Sequence, residues 1–260
     1  MDIFHVIVLS LIEGLTEFLP ISSTAHLVLA SNVMGIVQNT FLETFQIAIQ
    51  MGAIAAVIFL YFKKIISNKS LLIKSCIAFL PTGILGFVLL DYIRFFLSNP
   101  IVPVTTLFLG GILILGIEWI YSQKSKNKTS KNKGIENLSY KDVIIIGLIQ
   151  SVSLIPGVSR AAASIYAGLA INLDRKSATE FSFLLAIPTI TVASAFELIS
   201  NSPTFSQQEL ILLICGILFS FLSAIVVIKW FIAFVSKRSF MVFGVYRIIL
   251  SILYYFLFLK

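Results

Sequence analysis

The fold of this chain is decided by residues 12–26, which read IEGLTEFLPISSTAH. Two carboxylates, Glu13 and Glu17, lie in an otherwise apolar stretch and are four residues apart, so on a helix they share one face and repel each other. A carboxylate inside a lipid-spanning segment costs about 2.5–3.5 kcal/mol. A bound cation, a proton or a cationic partner must offset the repulsion. The pair therefore indicates a reactive or ion-binding site.

The composition is that of a polytopic membrane protein. Of 260 residues, 58% are hydrophobic and 12% charged, and the mean hydropathy is +1.01, whereas soluble domains carry about 25% charged residues. The net charge of +7 comes from lysines between apolar runs, which favours a positive-inside topology over a nucleic-acid partner. Cys76 and Cys215 are single thiols in apolar segments and predict neither a disulfide nor a metal site. We expect no cleavable signal peptide, since no basic segment precedes the first apolar run.

The hydropathy pattern predicts six transmembrane helices, because a bilayer takes about 20 helical residues to cross. They span about 41–62, 72–90, 102–121, 181–199, 210–234 and 240–259. Two further apolar regions, 3–37 and 143–171, are each interrupted by a Pro/Ser-containing cluster. Interrupted helices survive at membrane depth only where protein or water covers the freed backbone groups. We therefore predict two re-entrant helix hairpins in an all-α integral membrane protein.

The two hairpin regions align with each other. Leu11 to Glu13 match Leu148 to Gln150, and after a one-residue shift Pro20, Ser23 and Phe45 match residues 156, 159 and 181 at one constant offset. The alignment predicts one membrane domain with a first repeat over about 1–121, a lysine-rich cytoplasmic linker over about 122–142 and a second repeat over about 143–260. An odd number of crossings separates equivalent points, so the repeats are inverted.

The charge distribution supports this transmembrane topology. The loops at about 63–74, 122–142, 172–180 and 235–239 are predicted to share one side and to hold fourteen cationic residues. The other side holds only Arg94 and Lys260, so the first side is cytoplasmic and both termini are extracytoplasmic. The first hairpin then enters from the outer face and the second from the cytoplasm. The fourteen residues are Lys63, Lys64, Lys69, Lys74, Lys124, Lys126, Lys128, Lys131, Lys133, Lys141, Arg175, Lys176, Lys237 and Arg238.

The two interruptions carry the chemistry. Ser22, Ser23 and Thr24 precede a helix whose N-terminus favours anions, and His26 lies one turn beyond Ser23. The second interruption contains Ser159 and Arg160, and arginine suits bidentate binding of phosphate.

These groups together predict hydrolysis of a phosphate ester or anhydride on a lipid. Glu13 and Glu17 are candidate ligands of a divalent cation, Mg²⁺ or Ca²⁺. Either Ser23 attacks phosphorus with His26 as its base, or a metal-activated water attacks. Arg160 binds phosphoryl oxygens, or it forms a structural ion pair with Glu13 or Glu17.

Residues 13–26, together with Pro156 to Arg160, resemble the two signatures of the undecaprenyl-diphosphate phosphatase family of the bacitracin-resistance type. Residues 180–188 also resemble a family segment. The resemblance implies a cell-membrane enzyme that removes one phosphate from C55 polyprenyl diphosphate at the outer face. This reaction recycles the lipid carrier for peptidoglycan and confers resistance to bacitracin, which sequesters the substrate.

The resemblance also implies which residues act. Glu13, Glu17, Ser23, His26 and Arg160 have functional roles, with supporting contacts to substrate from Ser22, Thr24 and Ser159. The family's second signature usually continues with Ser-Gly-x-Thr, whereas this chain has alanine at 161–163 and then Ser164, which we expect to replace the threonine.

Two rival functions stay open at this point. Inverted repeats with interrupted helices are typical of transporters, so the chain is alternatively a flippase of a polyprenyl phosphate carrier. The lipid phosphatases with a histidine nucleophile need a second, carboxylate-paired histidine, and only His5 is available besides His26. We interpret Lys229 and Arg247 as structural, with Arg247 paired to Glu118 or Glu197. The sequence leaves homodimer formation, the prenyl chain-length preference and the metal's identity open.

Overall fold

A computed structural model describes residues 1–97, 99, 101–125, 133–201 and 205–259. These residues form helices and turns, with no strand among them beyond one isolated bridge between Lys133 and Leu173. The helices are α1 (Ile3–Thr16), α2 (Ser23–Val33), α3 (Thr40–Ser67), α4 (Lys69–Val88), α5 (Leu90–Leu97), α6 (Ile101–Ser125), α7 (Tyr140–Gln150), α8 (Arg160–Ala170), α9 (Arg175–Asn201), α10 (Gln207–Val235) and α11 (Met241–Tyr254), the last continued by a π-helical turn, Tyr255–Leu259.

Six of these helices are long and apolar enough to cross a membrane: α3, α4, α6, α9, α10 and α11 with its π-helical turn. The predicted six-span, all-α architecture is thereby confirmed. Their outward surfaces carry large apolar side chains such as Phe59, Phe87, Leu113 and Ile214. Apolar surface of this extent is typical of contact with lipid.

The predicted loops between spans are too long in two places. The loop predicted at 63–74 is the single residue Asn68, which caps both α3 and α4: its N–H donates to the Lys64 carbonyl and its side chain accepts from Leu71. The loop predicted at 172–180 ends earlier because Asp174 accepts from the N–H and hydroxyl of Ser177, so α9 begins at Arg175. Side-chain caps extend the helices beyond their apolar windows.

The linker is only partly described. Lys126, Lys128 and Lys131 lie outside the described residues, as does Lys260. Beyond the gap, Lys133 exchanges backbone hydrogen bonds with Asn172 and Asp174, and Ser139 with Asp142 forms a capping box at the start of α7.

Four shorter helices occupy the two interrupted regions, as predicted. α1 has 14 residues and α2, α7 and α8 have 11 each. At 1.5 Å per residue, none reaches the roughly 30 Å of a hydrocarbon core. Their re-entrant placement in a bilayer and the inverted repeat stay predictions.

Helices of the first half of the chain pack on helices of the second half, which is consistent with the predicted pair of repeats. α1 of the first half packs on α10 of the second, while α7 of the second half packs on α4 of the first. α3 likewise packs on α10, and α9 on α4. Two glycines permit the closest approaches, since a Cβ on Gly14 would lie 2.0 Å from Ser223 Oγ and one on Gly147 would lie 2.1 Å from the Ala78 carbonyl oxygen. One helix of each short pair, α1 or α7, is therefore held by a span of the other half.

Candidate active site

The first turn, between α1 and α2, contains a strained residue. Ser22 has φ 72° and ψ 94°, a region that non-glycine residues rarely adopt, and its hydroxyl caps α2 by accepting from the Ala25 N–H. The chain reverses over residues 17–22, and this conformation directs Ser23 back toward the end of α1. Its hydroxyl donates a short hydrogen bond to the Glu17 carboxylate.

The second turn, between α7 and α8, is built around Gly157. Its φ is +86°, and a Cβ there would lie 2.0 Å from Thr106 Oγ1, so both backbone conformation and space require glycine. Ser159 caps α8 by accepting from the Ala162 N–H at 3.1 Å. Arg160 is the first residue of α8.

The two turns meet, as the sequence predicts. Ser159 Oγ donates to the Leu19 carbonyl at 3.3 Å. The guanidinium of Arg160 contacts Glu17 Oε1 through Nε at 3.4 Å and Nη2 at 3.3 Å, and Nη1 donates to the Ser182 carbonyl at 3.0 Å. Glu17 thus connects the hydroxyl of one turn with the guanidinium of the other. The ion pair that the sequence offered as an alternative role for Arg160 is present.

Glu13 lies one helical turn behind Glu17 and is fully buried. Neither of its carboxylate oxygens has a hydrogen-bond partner among the described residues. A buried polar atom without a partner points to a bound proton or ion. No group of three or more His, Cys, Asp or Glu side chains that could hold a metal is found over the described ranges. Two carboxylates still fit Mg²⁺ or Ca²⁺, because Mg²⁺ sites commonly combine one or two carboxylates with substrate phosphate and water.

A cavity of about 180 Å³ opens where the turns meet. Six predicted residues line it: Glu17, Ser22, Ser23, Thr24, Ser159 and Arg160. The wall also contains apolar residues, Leu154, Val158 and Ile190. Its size and mixed lining suit a phosphorylated headgroup with the start of an apolar tail.

Four polar lining residues escaped the sequence analysis: Gln50, Thr82, Ser153 and Thr189. Thr82 and Thr189 each follow a proline inside an apolar span, and this repeated Pro–Thr pair is a signal that could have found them. Both accept from the Nε2 of buried Gln150, at 3.1 and 3.5 Å. Gln150 is the residue that the repeat alignment matches to Glu13.

The predicted pairing of His26 with Ser23 is wrong. His26 Nδ1 lies 2.7 Å from the Ser22 carbonyl and Nε2 lies 2.7 Å from the Tyr246 hydroxyl. A carbonyl only accepts, so Nδ1 donates to it, and Nε2 forms a hydrogen bond with the Tyr246 hydroxyl. His26 does not line the cavity among the residues described. Tyr246, in the last span, had no signal in the sequence.

Ser164, which the sequence predicts to contact substrate, lies behind the cavity wall. Ser164 is buried and does not line the cavity, and its hydroxyl contacts the Ser182 hydroxyl at 2.7 Å and the Arg160 carbonyl at 2.9 Å. The Ser182 carbonyl accepts from Arg160, so Ser164 supports the guanidinium indirectly, by holding Ser182 in place.

The predicted ion pair of Arg247 with Glu118 is wrong as well. Glu118 is instead held by both terminal nitrogens of Arg175, each at 2.8 Å. Arg247 donates to backbone carbonyls.

Known proteins resemble the chain along nearly its whole length. The family model described as "Bacitracin resistance protein BacA" matches residues 6–253. Relatives named undecaprenyl-diphosphatase include that of Wolinella succinogenes, 44% identical over 98% of both chains, and that of Sulfurihydrogenibium sp., 46% identical over 98% of this chain and 99% of the relative. The Aquifex aeolicus protein of the same name is 40% identical over 96% of both chains.

Proposed function

This chain belongs to the bacitracin resistance protein family, and on that premise we propose that it is an integral membrane phosphatase that hydrolyses undecaprenyl diphosphate to the monophosphate and inorganic phosphate. The observation that carries the proposal is the convergence of Ser23, Glu17 and Arg160 in one cavity. Hydroxyl, carboxylate and guanidinium are the groups that transfer of a phosphoryl group requires.

Substrate binding follows from the two turns. The first N–H groups of α2 and α8 have no intrahelical acceptor and face an anion favourably. Arg160 adds a planar cation that binds phosphoryl oxygens in bidentate fashion, and the hydroxyls of Ser22 and Thr24 complete the polar wall. The incoming phosphate displaces Arg160 from Glu17. Leu154, Val158 and Ile190 then contact the first prenyl units.

The nucleophile that the geometry favours is Ser23, with Glu17 as its base. The Ser23 oxygen bonds to the terminal phosphorus while its proton passes to Glu17 and on to solvent. The bond from that phosphorus to the bridging oxygen breaks, and polyprenyl monophosphate leaves. Water then bonds to the phosphorus of the phosphoseryl group while the bond from that phosphorus to the Ser23 oxygen breaks. One proton of the water passes to the Ser23 oxygen, and inorganic phosphate leaves. Direct attack by water is the competing route.

Glu13 and Glu17 are the residues that would hold a divalent cation next to the bound substrate. When bound, such a cation neutralises developing charge on the phosphoryl oxygens. The Glu13 carboxylate has no hydrogen-bond partner among the described residues, and a cation would compensate for its burial beside Glu17. We expect chelation with EDTA to abolish phosphate release and added Mg²⁺ or Ca²⁺ to restore it. Full activity after exhaustive chelation would contradict the proposal.

The test is release of inorganic phosphate from undecaprenyl diphosphate by the purified chain in detergent. We expect Glu17→Gln, Ser23→Ala and Arg160→Lys each to lower kcat by about 10²-fold or more, because each removes a group that acts in the transition state. The matched controls Glu43→Gln, Ser67→Ala and Arg238→Lys change exposed residues outside the cavity and should leave kcat unchanged.

The same assay addresses the flippase alternative, since detergent permits no transport. Turnover in detergent supports the phosphatase, while no release from well-folded protein would favour the flippase. A phosphoseryl group trapped by acid quench on wild type but not on Ser23→Ala would favour attack by Ser23. Turnover that survives in Ser23→Ala would favour water.

The proposal extends to the location of the reaction. We place the cavity toward the outer face and both termini outside the cytoplasm, on the charge asymmetry of the loops. Hydrolysis there recycles the lipid carrier for cell-wall synthesis and lowers the amount of substrate that bacitracin sequesters. Cross-linking in native membranes would decide whether the chain forms a homodimer, which the sequence leaves open.

A further inference from the structure

Arg247 is a buried cation without a carboxylate partner. It lies in the middle of α11, is 1% exposed and forms no ion pair with any described residue. An arginine at membrane depth is expensive, so its hydrogen bonds must offset a large desolvation cost. Its guanidinium donates four hydrogen bonds, all to backbone carbonyls.

Two of these carbonyls belong to the two turns of the active site. Nη1 donates to the Pro20 carbonyl at 3.2 Å, and Nη2 donates to the Gly157 carbonyl at 3.1 Å. Pro20 is three residues before Ser23, and Gly157 is three residues before Arg160. One planar guanidinium therefore bridges the segments that carry the hydroxyl and the cation of the site.

The other two bonds anchor the guanidinium to α6. Nη2 also donates to the Thr106 carbonyl at 3.1 Å, and Nε donates to the Leu107 carbonyl at 3.2 Å. Thr106 reinforces the arrangement, because its hydroxyl contacts the Pro156 carbonyl at 2.6 Å. The turns are thus held against a transmembrane span as well as against each other.

The sequence of α6 makes room for this contact. A Cβ on Gly110 would lie 2.2 Å from Arg247 Nη2 and 2.8 Å from its Cζ. Any side chain at that position would push the guanidinium away from its carbonyls. Gly116, on the same helix, has no atom within 4 Å of such a Cβ.

We propose that Arg247 is a positioning residue, which sets the separation of the two turns and so the geometry of Ser23, Glu17 and Arg160. It does not line the cavity in the described part of the chain and contacts no substrate. The inference rests on the proposed phosphatase function. A misplacement of about 1 Å in such a site costs on the order of 10²-fold in rate.

Two substitutions test the proposal: Arg247→Lys replaces the guanidinium, and Gly110→Ala leaves it intact but displaces it. Lysine keeps the charge, but its single nitrogen cannot serve four carbonyls in one plane. Alanine at 110 keeps the arginine and displaces it. We expect kcat per folded molecule to fall by about tenfold to 10²-fold in both variants, with KM for undecaprenyl diphosphate within about threefold of wild type.

The controls separate positioning from general stability. Gly116→Ala should leave kcat and KM unchanged. Arg175→Lys disrupts the bridge from a partly exposed arginine to the buried carboxylate of Glu118, away from the cavity, and should lower Tm with little change in kcat of the folded fraction. Gly110→Ala keeps the test open if Arg247→Lys does not fold.

Hydrogen exchange gives a readout that does not depend on catalysis. Amides of residues 17–26 and 155–164 should exchange faster in Arg247→Lys and Gly110→Ala than in Gly116→Ala. A KM raised more than tenfold at unchanged kcat would make Arg247 a substrate ligand, and unchanged kcat and exchange would also overturn the proposal. If wild type releases no phosphate, the proposed function fails while the exchange experiment still decides whether Arg247 holds the turns.

Discussion

At the scale of single residues, the site depends on hydrogen bonds that sequence spacing does not reveal. Ser23 donates to Glu17 of the preceding helix, although His26 is nearer to it along α2. His26 instead fixes the Ser22 carbonyl, and Ser22 is the residue with the strained conformation. The imidazole therefore holds the shape of the turn that presents Ser23.

This role predicts a difference between two substitutions of His26. His26→Ala removes the side-chain hydrogen bond to the Ser22 carbonyl, which then keeps only its backbone bond from the N–H of residue 26, and should lower kcat strongly. His26→Asn provides an N–H group near the position of Nδ1 but no base, so we expect it to recover kcat to within about tenfold of wild type. A general base contributes about 10²- to 10⁴-fold. If His26→Asn were as inactive as His26→Ala and the pH profile lost its acidic limb, the imidazole would be the base. Steady-state kinetics against pH make the comparison.

At the scale of elements, the short helices matter because their interruptions place helix N-termini and turn residues in the interior. In the second turn, the interruption requires an unusual backbone conformation and close packing at one residue. Gly157 combines a positive φ with close contacts to Thr106 and Pro103. Gly35 also has a positive φ, but a Cβ there would meet no atom within 4 Å. The two glycines separate backbone strain from crowding.

Gly157→Ala and Gly35→Ala should therefore differ in thermal stability. Left-handed backbone costs a non-glycine residue about 1–2 kcal/mol, and overpacking adds about 1–3 kcal/mol. We expect Gly35→Ala to lower the free energy of unfolding by only the first amount and to keep full activity. Gly157→Ala should lower the free energy of unfolding by both amounts together. It should also lower kcat strongly, because Thr106 must move to make room for the new Cβ. Equal Tm values for the two variants in detergent would contradict this account.

At the scale of the whole molecule, each half supports the interrupted helices of the other. α1 packs on α10 and α7 on α4, so neither pair of short helices depends only on its own half of the chain. The site lies where the halves meet, with Glu17 and Ser23 from the first and Arg160 from the second. The membrane orientation of this assembly is what the loop charges predict.

Labelling of single cysteines tests the orientation. In a chain carrying Cys76→Ser and Cys215→Ser, we expect Asn99→Cys to react with a membrane-impermeant thiol reagent added to intact cells. Ser67→Cys, which is equally exposed at the opposite end of the spans, should react only after permeabilisation. The reverse pattern would place the site on the cytoplasmic side.

The sequence alone determined the six spans, the two interrupted regions and the groups at their turns. Those features follow from local causes: hydrophobic length, proline and glycine, and the cost of charge in lipid. It could also place Glu17 and Arg160 together, because the aligned turns carry complementary charges.

Only the tertiary structure decided the partners of His26, Ser164 and Arg247. Their bonds run to Tyr246, Ser182 and four carbonyls, and the bonds of His26 and Arg247 reach residues far away in sequence. Backbone carbonyls are present at every residue, so no side-chain pattern marks the ones that a turn leaves free. Which of them an arginine meets depends on how six spans pack, and that is a property of the assembled molecule.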